Sequence, residues 1–510
     1  MTRPDSIPAE VVVGLDVGTT GVKASAFEPG SPWRCTVVRE YPLLQPAPDQ
    51  YVQDPGTLLA AVRDALAECV AAASGAEVVG VSVSAGMHGL VALDADGRPL
   101  TPLVTWADAR ARTEARALHQ SGRARELHSR TGVPVHSMSP LTKLRWFAHH
   151  EPDLWRAARW WAGLKELLLW WLTGEMVTEL SSASGTGMLD MTSRTWSREA
   201  VEVAGVDPDR LPPVVATTAI YPLAAGAAGD VGLPVGTPVV VGAADGPLGN
   251  LGTGALSPGV AGLSLGTSGA VRMAVDRPTV DADGTLFCYA LTDDVWVVGG
   301  AVSNGGSIVR WLADTIAPDI RPADGDRDAA VLALADGVPP GSDGLVMLPY
   351  VLPERAPLWD PDLPGAYVGL RRAHTRGHLV RAAVEGVCAQ MRVLLDGLDR
   401  VAPVTTVRAT GGAFGNAIWR DVMAAVAGRP LYLEDGAGGT ALGAAALGLL
   451  ALGRAPSLAD ASAQLGVSVD PAGPPVAVDP AVVATYEQVR DSVSGMVANL
   501  SRAAQMIDRR

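Results

Sequence analysis

The feature that most constrains the fold is a repeated unit, an apolar strand running into a tight glycine turn. Val11 to Lys23 reads VVVGLDVGTTGVK, and Gly262 to Arg272 reads GLSLGTSGAVR. Gly18-Thr19-Thr20-Gly21 and Gly266-Thr267-Ser268-Gly269 therefore occupy equivalent places, each after a short apolar run and before a β-rich continuation. Such self-similarity predicts two related halves. Val11 to Leu15, β-branched and bounded by glycine, suits a strand in the middle of a sheet.

The first copy also carries chemistry. Asp16 closes its apolar run, where a carboxylate is costly to bury unless a cation meets it; a hydrated Mg²⁺ carried by a nucleotide would do so. The turn lets backbone approach phosphate oxygens, with amides and two hydroxyls as donors and Lys23 as a nearby cation. A hairpin turn with a capping acid is the plainer reading. In the second copy Ser264 stands where Asp16 stands, so only the first half is expected to hold the metal while both turns donate to phosphate.

Between and beyond the copies, other segments echo each other. Pro55 to Ser74 has helical periodicity, Val78 to Ser84 reads as a buried strand, and the chain then enters Ala85-Gly86-Met87-His88-Gly89. That is an α/β unit with a potential site at the carboxyl end of its strand. The helix expected over Gly377 to Leu398, the strand Val404 to Ala409 and the turn Thr410-Gly411-Gly412-Ala413 repeat it. Pro238 to Val241 is a further buried strand, after which Asp245 repeats the logic of Asp16. A base that takes a proton from a hydroxyl needs such a semi-buried position, although an Asp-Gly turn is common. Trp106, Asp108 and Arg110 form a trio that can hold a polyol, against the plainer reading of a helix start at Asp108. Ala111 to Thr131 reads as one charged helix, Val295 to Val298 as a strand stopped by Gly299-Gly300, and Pro318 to Asp343 as a surface excursion. Gly436 to Gly453 reads as a glycine-rich turn and a tightly packed buried helix, too poor in Leu, Ile and Phe for a bilayer.

Bulk properties narrow the class. A chain of 510 residues with 48% hydrophobic content has material for two cores, here taken as domains 1–255 and 256–510, with the seam near Ser257-Pro258-Gly259. The net charge of −14 argues against nucleic acid or an anionic membrane as partners and requires a local cation for any anionic substrate. Cys35, Cys69, Cys288 and Cys388 are scattered without metal or disulfide spacing, and MTRPDSIPAE lacks the apolar core of a signal peptide, so a cytoplasmic location is expected. Only three lysines, Lys23, Lys143 and Lys165, stand against thirty-seven arginines, a hint that each retained lysine needs its compact ammonium head. The expected partner is a small molecule; a homodimer is left open.

Two longer patterns are similar to signatures of the FGGY family of carbohydrate kinases. Gly365-x-Tyr367-x-Gly369-Leu370 with His378-Leu379 and Ala382-Ala383-Val384-Glu385 fits one signature, and Met138-x-Pro140-x-x-Lys143-Leu144-x-Trp146-Phe147 fits the other, His149 departing from it. The resemblance spans nearly the whole chain. It implies an α/β fold of two actin-like, ribonuclease H-like domains closing on ATP and sugar in the cleft between them, with sugar, metal and base on the N-terminal side and ATP on the C-terminal side. It further implies that Asp16 orders Mg²⁺, that Thr19, Thr20, Gly266, Thr267 and Ser268 cradle the phosphates beside Gly18, that Gly411, Gly412, Ala413 and Asn416 meet the adenosine, and that Asp245 is the general base.

Trp106-Ala107-Asp108, Ala244-Asp245-Gly246-Pro247-Leu248 and Glu354-Arg355-Ala356-Pro357 resemble the gluconokinase-type members, with Pro353 in place of an expected glycine. The implied substrate is D-gluconate, phosphorylated on its terminal hydroxyl to 6-phospho-D-gluconate. Met87 and His88 would line the sugar, with His88 on a hydroxyl, and Arg110, Lys165 and Arg355 are candidates to receive the carboxylate. Met87-His88-Gly89 also occurs in xylulokinase-type members, so a kinase of a neutral ketose or polyol is the alternative. A non-catalytic actin-like binder of sugar or nucleotide is the rival from another class, and it would not need Asp245.

Overall fold

The computed structural model describes residues 8–322, 325–434, 439–468, 470–471 and 473–490, with Met496 and Asn499. The chain forms two compact units, neither continuous in sequence. The first comprises Met1–Ser257, Ala274–Val298 and Ala437–Asp470, and the second Pro258–Met273, Gly299–Gly436 and Pro471–Arg510. Beyond the expected seam, two later segments thus return to the first unit.

The first unit is built on a mixed sheet of β1 (Glu10–Val17), β2 (Gly21–Phe27), β3 (Arg34–Glu40), β4 (Glu77–Ala85), β5 (Ile220–Pro222) and β6 (Pro238–Ala244), in the order β5-β6-β4-β1-β2-β3. β1 is antiparallel to β2 and parallel to β4, and β4 is parallel to β6. Alternation along β1 sends Val11, Val13, Leu15 and Val17 into one core with Leu58, Val62 and Leu66, and Val12 into a second core, as a period of two requires. The first core is covered by α1 (Pro55–Ala72), which Asp54 caps by accepting from the Thr57 amide at 2.7 Å, with Pro55 in the first turn. Both are favoured helix starts.

A second six-stranded sheet holds β7 (Val260–Leu265), β8 (Gly269–Val275), β9 (Trp296–Val302), β10 (Thr406–Thr410) and β11 (Leu431–Leu433) in the order β9-β8-β7-β10-β11, with the strand Phe287–Ala290 beyond β9. β7 is antiparallel to β8 and parallel to β10, and β10 is parallel to β11. Set beside β3-β2-β1-β4-β6, this is the same arrangement, with α1 before β4 answered by a helix at Arg376–Val401 before β10. The duplication is therefore one of architecture, and each half is a ribonuclease H-like sheet.

The helix Gly439–Ala451 belongs to the first unit. Glycines let its backbone lie against β1 and the helix Asp245–Gly252: a Cβ at Gly14 would stand 2.0 Å from the Ala441 carbonyl oxygen, one at Gly443 2.1 Å from that of Leu248, and one at Gly252 2.1 Å from that of Gly439. The expected glycine-rich turn before this helix falls on 435–438, outside the described residues, as do the first seven residues. Among the described residues no helix is long and apolar enough to cross a membrane.

Three local expectations change. Ala111 to Thr131 is two helices, Arg112–Gln120 and Arg123–Thr131, broken at Gly122, whose φ of 77° suits glycine. Gly299 and Gly300 do not stop β9; they lie inside it, because a Cβ at Gly299 would meet the Val271 carbonyl oxygen at 2.2 Å. Pro318 to Asp343 contains a helix, Arg327–Leu332, and its Asp326 and Asp328 line a cavity.

Candidate active site

In the first unit the turn Gly18–Gly21 closes the β1–β2 hairpin, and all four of its carbonyls are drawn backwards. The Tyr41 hydroxyl donates to the carbonyls of Gly18 (2.6 Å) and Gly21 (3.1 Å), the Gln53 amide to that of Thr19 (2.7 Å), and the Tyr41 amide to that of Thr20 (3.1 Å). The turn is also closed on itself, the Gly18 amide donating to the Gly21 carbonyl at 2.9 Å. Lys23, exposed on β2, is the register partner of Asp16.

Asp16 accepts from the Ser84 hydroxyl at 3.0 Å. Burial and then the charge of Asp245 push its carboxyl from 3.8 up to about 6, against the opposing pull of Ser84, Lys23 and Lys165. Asp245 opens the helix Asp245–Gly252. Gly86 lies beside Asp245 and the turn, a Cβ there standing 3.9 Å from Asp245 Oδ2 and from the Gly18 carbonyl carbon.

The sugar segments follow β4. His88 takes a left-handed backbone, φ 64°, and its Nδ1 donates to the Gly185 carbonyl at 2.8 Å, placing Nε2 3.4 Å from the Tyr289 hydroxyl. Met87 packs so close to Gly185 that a Cβ there would stand 2.5 Å from Met87 Cε. Trp106 donates its indole N–H to Thr19 Oγ1 at 2.9 Å, linking this loop to the phosphate-like turn. Lys143 is buried and donates to the carbonyls of His88 (2.6 Å) and Thr105 (2.7 Å), so one ammonium ties both loops together. Burial pulls it from 10.5 down to about 7, with Asp108 opposing.

Two expected substrate cations are occupied otherwise. Arg110 grips Asp108 with both arms of its fork (2.8 and 2.9 Å) and lies over the Trp146 ring at 5.0 Å, and Asp108, which starts no helix, also accepts from the Tyr51 amide at 2.9 Å. Lys165 is buried, its ammonium donating to the carbonyls of Val83, Val241 (2.8 Å) and Ala243 (3.0 Å), with Glu179 Oε1 at 3.8 Å. It is a backbone clamp rather than an open receptor for a carboxylate. Arg355 lies in the second unit, donating to the Val302 carbonyl at 2.9 Å and the Ser303 hydroxyl at 3.2 Å.

The turn at Gly266 in the second unit repeats the device. Amides of Gly306 (2.7 Å), Gly305 (3.2 Å) and Ser307 (3.1 Å) engage the carbonyls of Gly266 and Thr267, and a Cβ at Gly305 would stand within 3 Å of Ser268 and Gly266. Gly266 and Thr267 share a cavity of about 1010 Å³ with Gly412, Ala413 and Asn416, walled by Trp311 and Trp419. Gly411 turns the chain into it at φ 117°, and Asn416 caps the helix Ala417–Ala427. Ser268 flanks the cavity within the same turn. Ser84, Tyr41, Gln53, Lys143 and Tyr289 are the contributors that sequence reasoning left without a role; only Lys143 carried a signal, as one of three lysines.

In each unit a glycine turn leaves the sheet, in the first beside two acids and in the second beside a cavity of about 1010 Å³, the layout that a nucleotide-dependent kinase reading calls for. Family models for the N-terminal and C-terminal domains of the FGGY family of carbohydrate kinases match residues 11–252 and 261–452. A gluconokinase of Bacillus subtilis is 36% identical over 465 residues, covering 89% of this chain and 90% of the relative, and a xylulose kinase of the same organism is 29% identical over 461 residues, covering 89% and 90%. The crystal structure of a gluconate kinase from Lactobacillus acidophilus superposes with a TM-score of 0.90 at 29% identity, covering 98% of this chain and 99% of that one. The chain belongs to the FGGY family of carbohydrate kinases, enzymes that move a phosphoryl group from ATP to a sugar hydroxyl.

Proposed function

We propose that this kinase phosphorylates the terminal hydroxyl of D-gluconate, giving 6-phospho-D-gluconate, in the cytoplasm. The observation that carries the choice of sugar is the 36% identity to a gluconokinase against 29% to a xylulose kinase, together with Trp106-Ala107-Asp108, whose indole reaches the phosphate-like turn. Asp245 is the base that accepts the proton of the hydroxyl. His88, with Nδ1–H committed to a carbonyl and Nε2 beside the Tyr289 hydroxyl, meets a sugar hydroxyl in this reading, beside Met87. Arg355, which donates to the Val302 carbonyl and the Ser303 hydroxyl, is the cation we retain for the carboxylate, on the likeness of Glu354-Arg355-Ala356-Pro357 to the gluconokinase-type pattern.

The residues fit both implied groups. Asp16 is a half-buried carboxylate raised to about 6, first by burial and then by a second acid, and it would hold Mg²⁺. A glycine-edged cavity of about 1010 Å³ is of the size that small-molecule sites reach and would hold the nucleotide through Gly266, Thr267, Gly412, Ala413 and Asn416, with Gly411 shaping the entry and Ser268 beside the phosphates; in the first unit Gly18, Thr19, Thr20 and Lys23 are the residues we assign to phosphate. ATP supplies the phosphoryl group, and Mg²⁺ neutralises its oxygens.

A neutral ketose is the second reading, favoured by Met87-His88-Gly89, which both subtypes share. ATP consumption with D-gluconate, D-xylulose, glycerol and no sugar separates the two: turnover with D-xylulose alone overturns the gluconate assignment. Asp245→Asn should lower kcat by roughly 10²–10⁴ while calorimetry finds ATP bound as before. Near-normal turnover removes Asp245 as base.

A further inference from the structure

The strand that delivers Asp245 is irregular. β6 runs beside β4 in register at Val239–Val81 and Val240–Ser82, then resumes at Ala243–Ser84 and Ala244–Ala85, so Val241 and Gly242 together oppose Val83. That is a bulge, the device by which a strand bends and re-aims the residues after it. Gly242 accommodates it with φ 73°, and a Cβ there would stand 1.9 Å from the Val83 carbonyl oxygen. The bulge disrupts the ladder locally, and the carbonyls of Val83, Val241 and Ala243 converge instead on one buried ammonium, that of Lys165 from the helix Leu164–Thr173.

A second set of bonds reaches the same place. Glu179, 3.8 Å from the Lys165 ammonium, accepts from the amides of Ser181 and Ser182 and caps the short helix Leu180–Ser184, and the Ser181 hydroxyl accepts from the Ala244 amide at 3.2 Å. The residues on either side of the bulge, and the one immediately before Asp245, are thus all held from Lys165 and Glu179.

We infer that Lys165 is a positioning residue for the transfer: its ammonium fills the bulge of β6 and fixes the backbone from which Asp245 projects. This rests on the reading of Asp245 as base. Three donors on a compact head suit three carbonyls meeting at one point, which the flat fork of an arginine cannot copy; the retention of a lysine here in an arginine-rich chain follows. A misplacement of the base of the order of 1 Å slows the chemical step without weakening the binding of either substrate.

The test is the paired change Lys165→Met with Glu179→Gln, which removes both members of that ion pair together, assayed in the full chain with Mg²⁺, ATP and D-gluconate, or D-xylulose if that is the acceptor. The expected result is a fall in kcat of about 100-fold with sugar KM and ATP affinity close to wild type, and no further loss when the pair is combined with Asp245→Asn, because both act through one group. Ser181→Ala, a milder change, should lower kcat about tenfold with the same KM, and it serves if the paired variant does not fold. A folded paired variant with wild-type kcat, a loss confined to KM, or wild-type kcat in Ser181→Ala overturns the positioning role. If Asp245→Asn itself turns over normally, the base assignment falls, and this inference with it; if Asp245→Asn is inactive while the paired variant is normal, only the inference falls.

Discussion

Asp16→Asn should make the ligand-free protein more stable while abolishing its activity. In the folded chain the Asp16 carboxyl is raised from 3.8 to about 6, first by burial and then by Asp245. At 1.36 kcal/mol for each pH unit, holding it ionised at pH 7 costs up to about 3 kcal/mol. Asparagine is nearly isosteric, can still accept from Ser84, and carries no charge to repel Asp245. Because the folded pKa lies above the unfolded one, the folded state binds the extra proton between 3.8 and about 6, so wild type gains stability as the pH falls through that window. The variant does not. Scanning fluorimetry without Mg²⁺ should therefore find the variant melting roughly 5 °C higher at pH 7, with the two curves meeting near pH 4. Adding Mg²⁺ and ADP should narrow the gap by stabilising wild type. An Asp16→Asn protein that melts at or below wild type at pH 7, or a gap independent of pH, would refute the reasoning.

Two further outcomes are expected. Lys143→Met removes the donor shared by the His88 and Thr105 carbonyls, so the sugar KM should rise about tenfold with ATP affinity unchanged; a sugar titration with an unaltered KM argues against the tie between the loops. Gly443→Ala drives a methyl to 2.1 Å from the Leu248 carbonyl oxygen and should cost about 3 kcal/mol or more in urea unfolding, an unchanged midpoint being the contrary result.

Much of the site was legible because its parts are local. A buried β-branched run ending in an acid and a glycine turn needs only neighbours in sequence to be recognised, and the strand through Asp16, the turn at Gly18 and its copy at Gly266 stand where that pattern puts them. So was the helix Pro55–Ala72, where Asp54 and Pro55 mark the start. What escaped is what depends on distant partners. Nothing near Tyr41 or Gln53 announces that they draw the turn's carbonyls back. The cations at Arg110 and Lys165 look available in sequence, and only the fold brings Asp108 to one and three carbonyls to the other. Gly299 and Gly300 read as a strand end because glycine usually disfavours strands, whereas here the close passage of Val271 requires one of them. The scarcity of lysine was the one non-local clue in the composition, since two of the three are buried heads meeting several carbonyls each.

The return of the helix Gly439–Ala451 to the first unit bears on how the protein is made. β1 and the helix of Asp245 leave the ribosome early, but the segment that lies on Gly14, Leu248 and Gly252 is synthesised after Pro258–Met273 and Gly299–Gly436 of the second unit. The half of the molecule that carries both acids therefore cannot complete its core during its own synthesis and must wait, one apolar face uncovered, for a helix translated near the end. A fragment stopped at Ser257 would keep that face open permanently, which makes the boundary between the units a poor place to divide the gene.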